Sequence, residues 1–260
     1  MQNSMNRLCG QLVLAVLGLM LLAGCSALRS VAGDPAAESA LATTPWAQAP
    51  SGSNAPAWRH YKLPGKQPSL FSYMRHDGRN AMAVTSESSA SMLRQAVRME
   101  PAELTDVRFS WKVPELIAQA DMALREADDS PVRIVLIFEG DRSNFSPKNA
   151  MLSELARTLT GEELPYATLM YVWCNTRPAG SVIVNPRTDR VRKLVVESGA
   201  GKLKQWVDYE RNIRADYETA FGEAPGALVG IGIMTDSDNT RSHTKAWYGP
   251  VILGTVAQLR

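Results

Sequence analysis

The sequence predicts a mainly β protein, a jelly-roll-like β-sandwich with two inserted or peripheral helices, and three observations predict it. From residue 58 the chain breaks into short runs of strand length separated by Pro, Gly, Asn and Asp. Only two stretches carry helical spacing. Strand and helix do not alternate strictly and no internal repeat is visible, which argues against doubly wound and barrel architectures.

The elements follow in chain order. Arg7 is the only charge among the first 24 residues, and the apolar run 12–22 is shorter than the roughly 20 residues a membrane-spanning helix needs. Leu21-Leu22-Ala23-Gly24-Cys25-Ser26 then reads as a bacterial lipobox, in which small Ala23 and Gly24 precede a cysteine that takes a diacylglycerol. Residues 1–24 are expected to be a lipoprotein signal peptide and Cys25 the lipidation site; an ordinary cleaved signal or a short anchor is the alternative. Ser26, rather than Asp, is the pattern of lipoproteins sorted to the outer membrane, here facing the periplasm. Residues 25–57 are rich in Ala, Ser, Pro and Thr and hold too little apolar area to offset the entropy of ordering, so they read as a flexible tether. Residues 58–260 are expected to form one domain.

Lys plus Arg number 28 against 26 Asp plus Glu, and Arg7 leaves with the signal. That near-neutral balance gives no sign of the clustered positive charge that a nucleic-acid surface needs, and no nucleic-acid partner is expected. Cys9 lies in the signal and Cys25 in the lipobox, so Cys174 stands alone, without a disulfide partner, and reads as a small buried apolar residue.

Strand character marks 70–75, 81–86, 107–113, 132–138, 168–174, 181–184, 191–197, 227–234 and 246–253. Phe109, Trp111 and Val113 alternate with Arg108, Ser110 and Lys112 as a half-buried strand requires. Asn185-Pro186-Arg187-Thr188 reads as a hairpin turn. A helix is predicted over 147–159, with Ser146 as N-cap, Pro147 in the first turn, Gly161 past the end, and Met151, Leu152, Leu155 and Leu159 on one face. A second is predicted over 204–221, where Trp206, Tyr209, Ile213 and Tyr217 recur at three- and four-residue spacing.

Candidate site residues cluster in two acidic loops. Asp236, Asp238 and Asn239 offer hard oxygen ligands within a few residues, the chemistry Ca²⁺ prefers; the competing reading is a loop whose side chains cap backbone NH groups. Asp128 and Asp129 precede Arg133 and either pair with an arginine or shape the start of a strand. Trp247 and Tyr248 follow the second acidic loop, and as strand neighbours they point to opposite faces, so only one of them is expected to be fully buried. No Gly-x-Ser-x-Gly, His-Glu-x-x-His or Cys-x-x-Cys motif is present. Of the histidines, His243 is the one placed to act as an acid or base beside the acidic loop.

The order of Trp111-Lys112-Val113, Asp128-Asp129 with Arg133, Tyr171-Val172-Trp173, Glu210-Arg211-Asn212, Asp216-Tyr217, Met234 through Thr240 and Tyr248-Gly249 resembles a bacterial family known as domain of unknown function 3047. The family carries no assigned activity, so the resemblance implies no catalytic residues. It does imply a galactose-binding-like jelly roll, a fold often used by carbohydrate-binding modules with a structural calcium.

These readings combine into an expectation. The chain is a noncatalytic envelope lipoprotein that binds a glycan or another envelope ligand through Asp128, Asp129, Arg133, Asp236, Asp238, Asn239, Trp247 and Tyr248, with Asp236, Asp238 and Asn239 shaping the site or holding Ca²⁺. Two alternatives are a hydrolase of envelope polysaccharide working through Asp128, Asp129, Asp236 or Asp238, and an assembly lipoprotein that docks a partner protein on the helix at 204–221.

Overall fold

Two antiparallel-rich sheets face each other across a core of aromatic and aliphatic side chains. The computed structural model describes residues 40–49 and 57–254, all within the unit Gly33–Arg260. The predicted signal peptide, Cys25 and the rest of the tether lie outside the described residues. The strands are β1 (Arg59–Lys62), β2 (Leu70–His76), β3 (Arg79–Glu87), β4 (Ala90–Met99), β5 (Asp106–Lys112), β6 (Ser130–Phe138), β7 (Ala167–Cys174), β8 (Val182–Val184), β9 (Val191–Ser198), β10 (Trp206–Asn212), β11 (Leu228–Asp236), β12 (His243–Tyr248) and β13 (Ile252–Leu253). The helices α1 (Pro45–Gln48), α2 (Pro147–Thr160) and α3 (Ile213–Phe221) accompany them.

One sheet runs β1-β4-β11-β6-β7-β9-β8, and the other runs β10-β5-β12-β3-β2 with β13 also on β5. Four strands of each, β3-β12-β5-β10 against β4-β11-β6-β7, stand in jelly-roll order, because the chain crosses between sheets from β3 to β4, β4 to β5 and β5 to β6, and again from β10 to β11 and β11 to β12. The sequence-based fold class is therefore the observed one. Inward-facing Phe109 and Trp111 of β5 meet Tyr171 and Trp173 of β7 in this core, and the rings of Phe109 and Tyr171 stack at 5.5 Å.

Three sequence-based expectations are corrected. The helix at 204–221 divides into β10 and α3. Val207 and Tyr209 lie directly opposite Trp111 and Phe109 of β5, a period of two that hides inside the three- and four-residue spacing of Trp206, Tyr209, Ile213 and Tyr217. Asn212 then caps α3, its side chain accepting from the Ala215 NH at 2.9 Å, and Ile213 and Tyr217 are fully buried. This helix presents no apolar stripe for a partner. The second correction is β4, a long central strand that the sequence reading leaves unmarked. Its Met, Leu, Arg, Gln and Ala are helix formers by preference, and pairing on both edges with β1 and β11 overrides that preference. The third concerns the tether. Thr44 caps α1 through its side chain, Trp46 is fully buried at 4.9 Å from the Trp58 ring, and its Nε1 donates to the Tyr248 carbonyl at 3.0 Å. Trp46, with buried Ala47 and with Leu41 packed on the same core, supplies the apolar area that docks this segment, so residues 40–49 belong with the domain.

Candidate functional site

The register of the seven-stranded sheet organises its outer face into rungs. Ala96 of β4 pairs with Gly230 of β11, Gly230 with Ile137 of β6, Ile137 with Thr168 of β7, and Thr168 with Val191 of β9. Two residues along each strand, on the same face, the next rung reads Arg94, Gly232, Val135, Met170 and Lys193. The third reads Met92, Met234, Arg133, Val172 and Val195. A cleft of about 1020 Å³ lies over the first of these rungs and the open side of the second. Glycine and alanine keep its floor low: a Cβ at Gly230 would stand 3.2 Å from the Ile137 side chain.

Helix α2 forms the roof, contributing Leu152, Leu155, Ala156 and Leu159. It forms where expected, capped by Ser146 and closed by Gly161 in the left-handed conformation. Its packing is unusual, because the side chains it buries are Asn149 and Ser153 while Leu155 and Leu159 stay 52% and 64% exposed. An amphipathic helix normally presses its apolar stripe onto the core; α2 is instead moored at its two ends. At the start, Asn149 donates to Asp189 at 2.7 Å and accepts from Thr188 at 2.8 Å. Past the end, Arg94 grips Glu162 with contacts of 3.0 and 3.1 Å, and Arg142 pairs with Glu163 at 3.0 Å. Arg98 bridges Glu100 and Glu139 along the same rim. Among the described charged residues lining the cleft, Arg187 is the one whose side chain has no partner.

Beyond the second rung the same face is closed by the chain between β5 and β6, and here the predicted acidic residues converge. Arg133 donates to the Asp128 carbonyl at 2.8 Å, to the Asp128 carboxylate at 3.1 Å and to Asp236 at 3.1 Å. Lys193, fully buried, donates to Asp128 at 2.6 Å and to the Met122 carbonyl at 2.8 Å. Asp129 accepts from the Asn239 NH at 3.1 Å, the Thr240 NH at 2.7 Å and the Thr240 hydroxyl at 2.6 Å, tying the two acidic loops together. Burial works against the Arg133 charge, but Asp236 and Asp128 outweigh it and hold the guanidinium more strongly protonated than usual. Burial pushes the Asp236 carboxyl up to about 7 against the pull of Arg133, and burial with Arg133 nearby pushes the Lys193 ammonium down to about 8.

The model of the family described as Protein of unknown function (DUF3047) matches residues 56–252. The chain belongs to the DUF3047 family. No curated protein matches its sequence. The DUF3047 chain is similar to the family 11 carbohydrate-binding module of cellulosomal cellulase Lic26A-Cel5E of Clostridium thermocellum, at 8% identity and a TM-score of 0.38, over 78% of this chain and 91% of that one. It is also similar to the xyloglucanase domain of NopAA, a type three effector from Sinorhizobium fredii, at 10% identity and a TM-score of 0.39, over 79% and 96%. A third likeness is to the family 11 xylanase from Neocallimastix patriciarum, at 9% identity and a TM-score of 0.35, over 77% and 91%.

In this DUF3047 chain the sequence-predicted residues separate into three places. Asp128, Asp129, Arg133, Asp236 and the Asn239 backbone meet in the closed network. Asp238 is turned to Lys66, and the Asn239 side chain donates to the Arg125 carbonyl at 2.7 Å. Asp236, Asp238 and Asn239 are therefore spent on different partners, and among the described residues no group of three or more His, Cys, Asp or Glu side chains is placed to hold a metal ion. Tyr248 is not a surface ligand: its ring is fully buried, and its hydroxyl donates to the Met234 carbonyl at 2.6 Å. Trp247 lies on the opposite, outer face of the six-stranded sheet, where the His76 ring stacks on it at 4.1 Å. His243 is exposed, and Cys174 is buried as expected. The cleft residues Ala96, Gly230, Ile137 and Leu155 carry no sequence signal of function. The one available signal was the apolar stripe of α2, which a sequence reads as ordinary core.

Proposed function

We propose that this protein is a noncatalytic ligand-binding domain of the bacterial envelope, held to a membrane by a lipid on Cys25, and that its ligand lies between α2 and the outer face of the seven-stranded sheet. The observation that carries this reading is the pair of facing apolar surfaces kept apart by polar moorings at both ends of the helix. Direct contact between them would gain about 25 cal/mol for each Å² removed from water, so an open space there fits a site that a ligand fills. Its size matches the upper range of small-molecule pockets, which are mostly apolar with a few placed polar groups.

The noncatalytic reading draws on the state of the carboxylates. Asp128, Asp129 and Asp236 are buried and hydrogen-bonded away from the cleft. Each carboxylate lining the cleft, Glu100, Glu139, Glu162 and Glu163, is joined to an arginine. A hydrolase needs two carboxyls facing one substrate with one free to give a proton.

The test is thermal unfolding of the full chain against a panel of oligosaccharides and lipids, since a ligand that binds the folded state raises the midpoint by mass action. A rise lost in Ala96→Trp, which fills the floor, supports the cleft. A rise lost in Asp238→Ala and kept in Ala96→Trp moves the site to the acidic loop and contradicts the proposal. Movement of Cys25→Ser from the membrane to the soluble fraction is the expected result for the anchor.

A further inference from the structure

We infer that the ligand of this cleft is a long-chain amphiphile with an anionic head, its acyl chain lying along the Ala96–Gly230–Ile137 rung beneath α2 and its head at Arg187. The inference rests on the reading of the cleft as a ligand site and adds the chemistry of the occupant.

The cleft has the length of an extended acyl chain. The floor rung crosses five paired strands, a span of about 19 Å at the usual strand spacing. The roof is the 14-residue helix α2, about 21 Å long. The moorings place the helix start beside the β8–β9 turn and its end beside β4, so roof and rung run the same way across the sheet. A trough of that length suits an extended acyl chain.

Floor and roof are aliphatic where they face each other, apart from Thr168 in the floor rung. The cleft offers no free aromatic platform for a sugar ring, because the Arg94 guanidinium already covers Tyr61 at 4.6 Å and Phe138 points into the core. Hydroxyl-rich ligands also need unspent polar partners, and three of the four lining arginines are already bound to glutamates.

Arg187 is exposed, unpaired and set at the end of the trough where α2 begins. A guanidinium there meets a carboxylate or phosphate without breaking an existing pair.

The experiment uses the full chain carrying Cys25→Ser, so that no acyl group attached there competes, and follows the fluorescence of cis-parinaric acid, a straight-chain fatty acid. The expected result is saturable binding that weakens by roughly tenfold or more in Ala96→Trp, the scale of losing contact with about two methylenes. Leu155→Glu, an exposed roof position, should do the same while circular dichroism shows an unchanged fold. Arg187→Ala should weaken binding of the acid and leave the corresponding alcohol unchanged. Displacement by oleate points to a free fatty acid, and displacement by lysophosphatidylglycerol to a phospholipid; either supports the inference. If cis-parinaric acid does not bind while an oligosaccharide does, and Ala96→Trp abolishes that binding, the acyl chemistry is overturned and the cleft survives as the site. If nothing binds, or if Ala96→Trp and Leu155→Glu change nothing, both are overturned.

Discussion

The two ends of one sheet face solve the same problem in opposite ways. At one end the outer face of β6, β9 and β11 presents Arg133, Lys193 and Asp236, and the chain brings Asp128 over them until each of these four charges is paired and buried. At the other end the same strands present Ile137, Val191 and Gly230, and the covering helix stops short of them. The charged end is a latch, and the aliphatic end is the proposed ligand site. Charged residues forced to share a dry space must satisfy one another, whereas apolar residues can wait for a ligand.

Arg133 holds the charged end together. Arg133→Ala leaves Asp128 and Asp236 buried with their main counter-charge removed, and the expected loss is about 3–5 kcal/mol of folding stability, measured by urea unfolding; an unchanged midpoint would mean that the latch does not hold the fold. Asp129→Ala removes the acceptor for three donors of the second acidic loop and is expected to cost about 2–3 kcal/mol in the same assay.

Lys193 makes the stability of the charged end depend on pH. Its folded pKa of about 8 lies below its ordinary 10.5, so between those values the unfolded chain binds more protons than the folded one. Stability should therefore rise with pH across that window and be flat for this group below about 8, where both states are protonated. The expected signature is a difference between wild type and Lys193→Met that changes from pH 8 to 10.5 and is constant at lower pH.

Leu155→Glu carries the smallest effect on stability, under about 0.5 kcal/mol, because the side chain is 52% exposed. A large loss there would show that α2 is closed on the sheet in solution.

What the sequence made legible follows from the same contrast. The alternation in β5, the cap and stop of α2 and the 185–188 turn are local signals, and each appears where its residues place it. The link between Asp128-Asp129 and the 236–240 loop was visible only as two acidic clusters, since sequence supplies no distance between segments more than a hundred residues apart. A buried latch and a metal or ligand site draw on the same residue types, so residue type alone does not separate them. The cleft was illegible because it consists of ordinary strand and helix residues whose meaning lies in a separation. β4 and β10 were missed where pairing overrides helix-like composition or spacing, and α1 because Trp46, with Ala47 and Leu41, outweighs the composition of the rest of its segment.

The most direct measurement is photolabelling of the full chain carrying Cys25→Ser with a diazirine-bearing fatty acid, followed by peptide mapping of the adducts. The expected adducts lie on the floor and roof of the cleft, on residues such as Met92, Ile137, Leu152 and Leu155, and are competed away by unlabelled oleate. Adducts confined to the 236–240 loop or to the Trp247 face of the six-stranded sheet would contradict it.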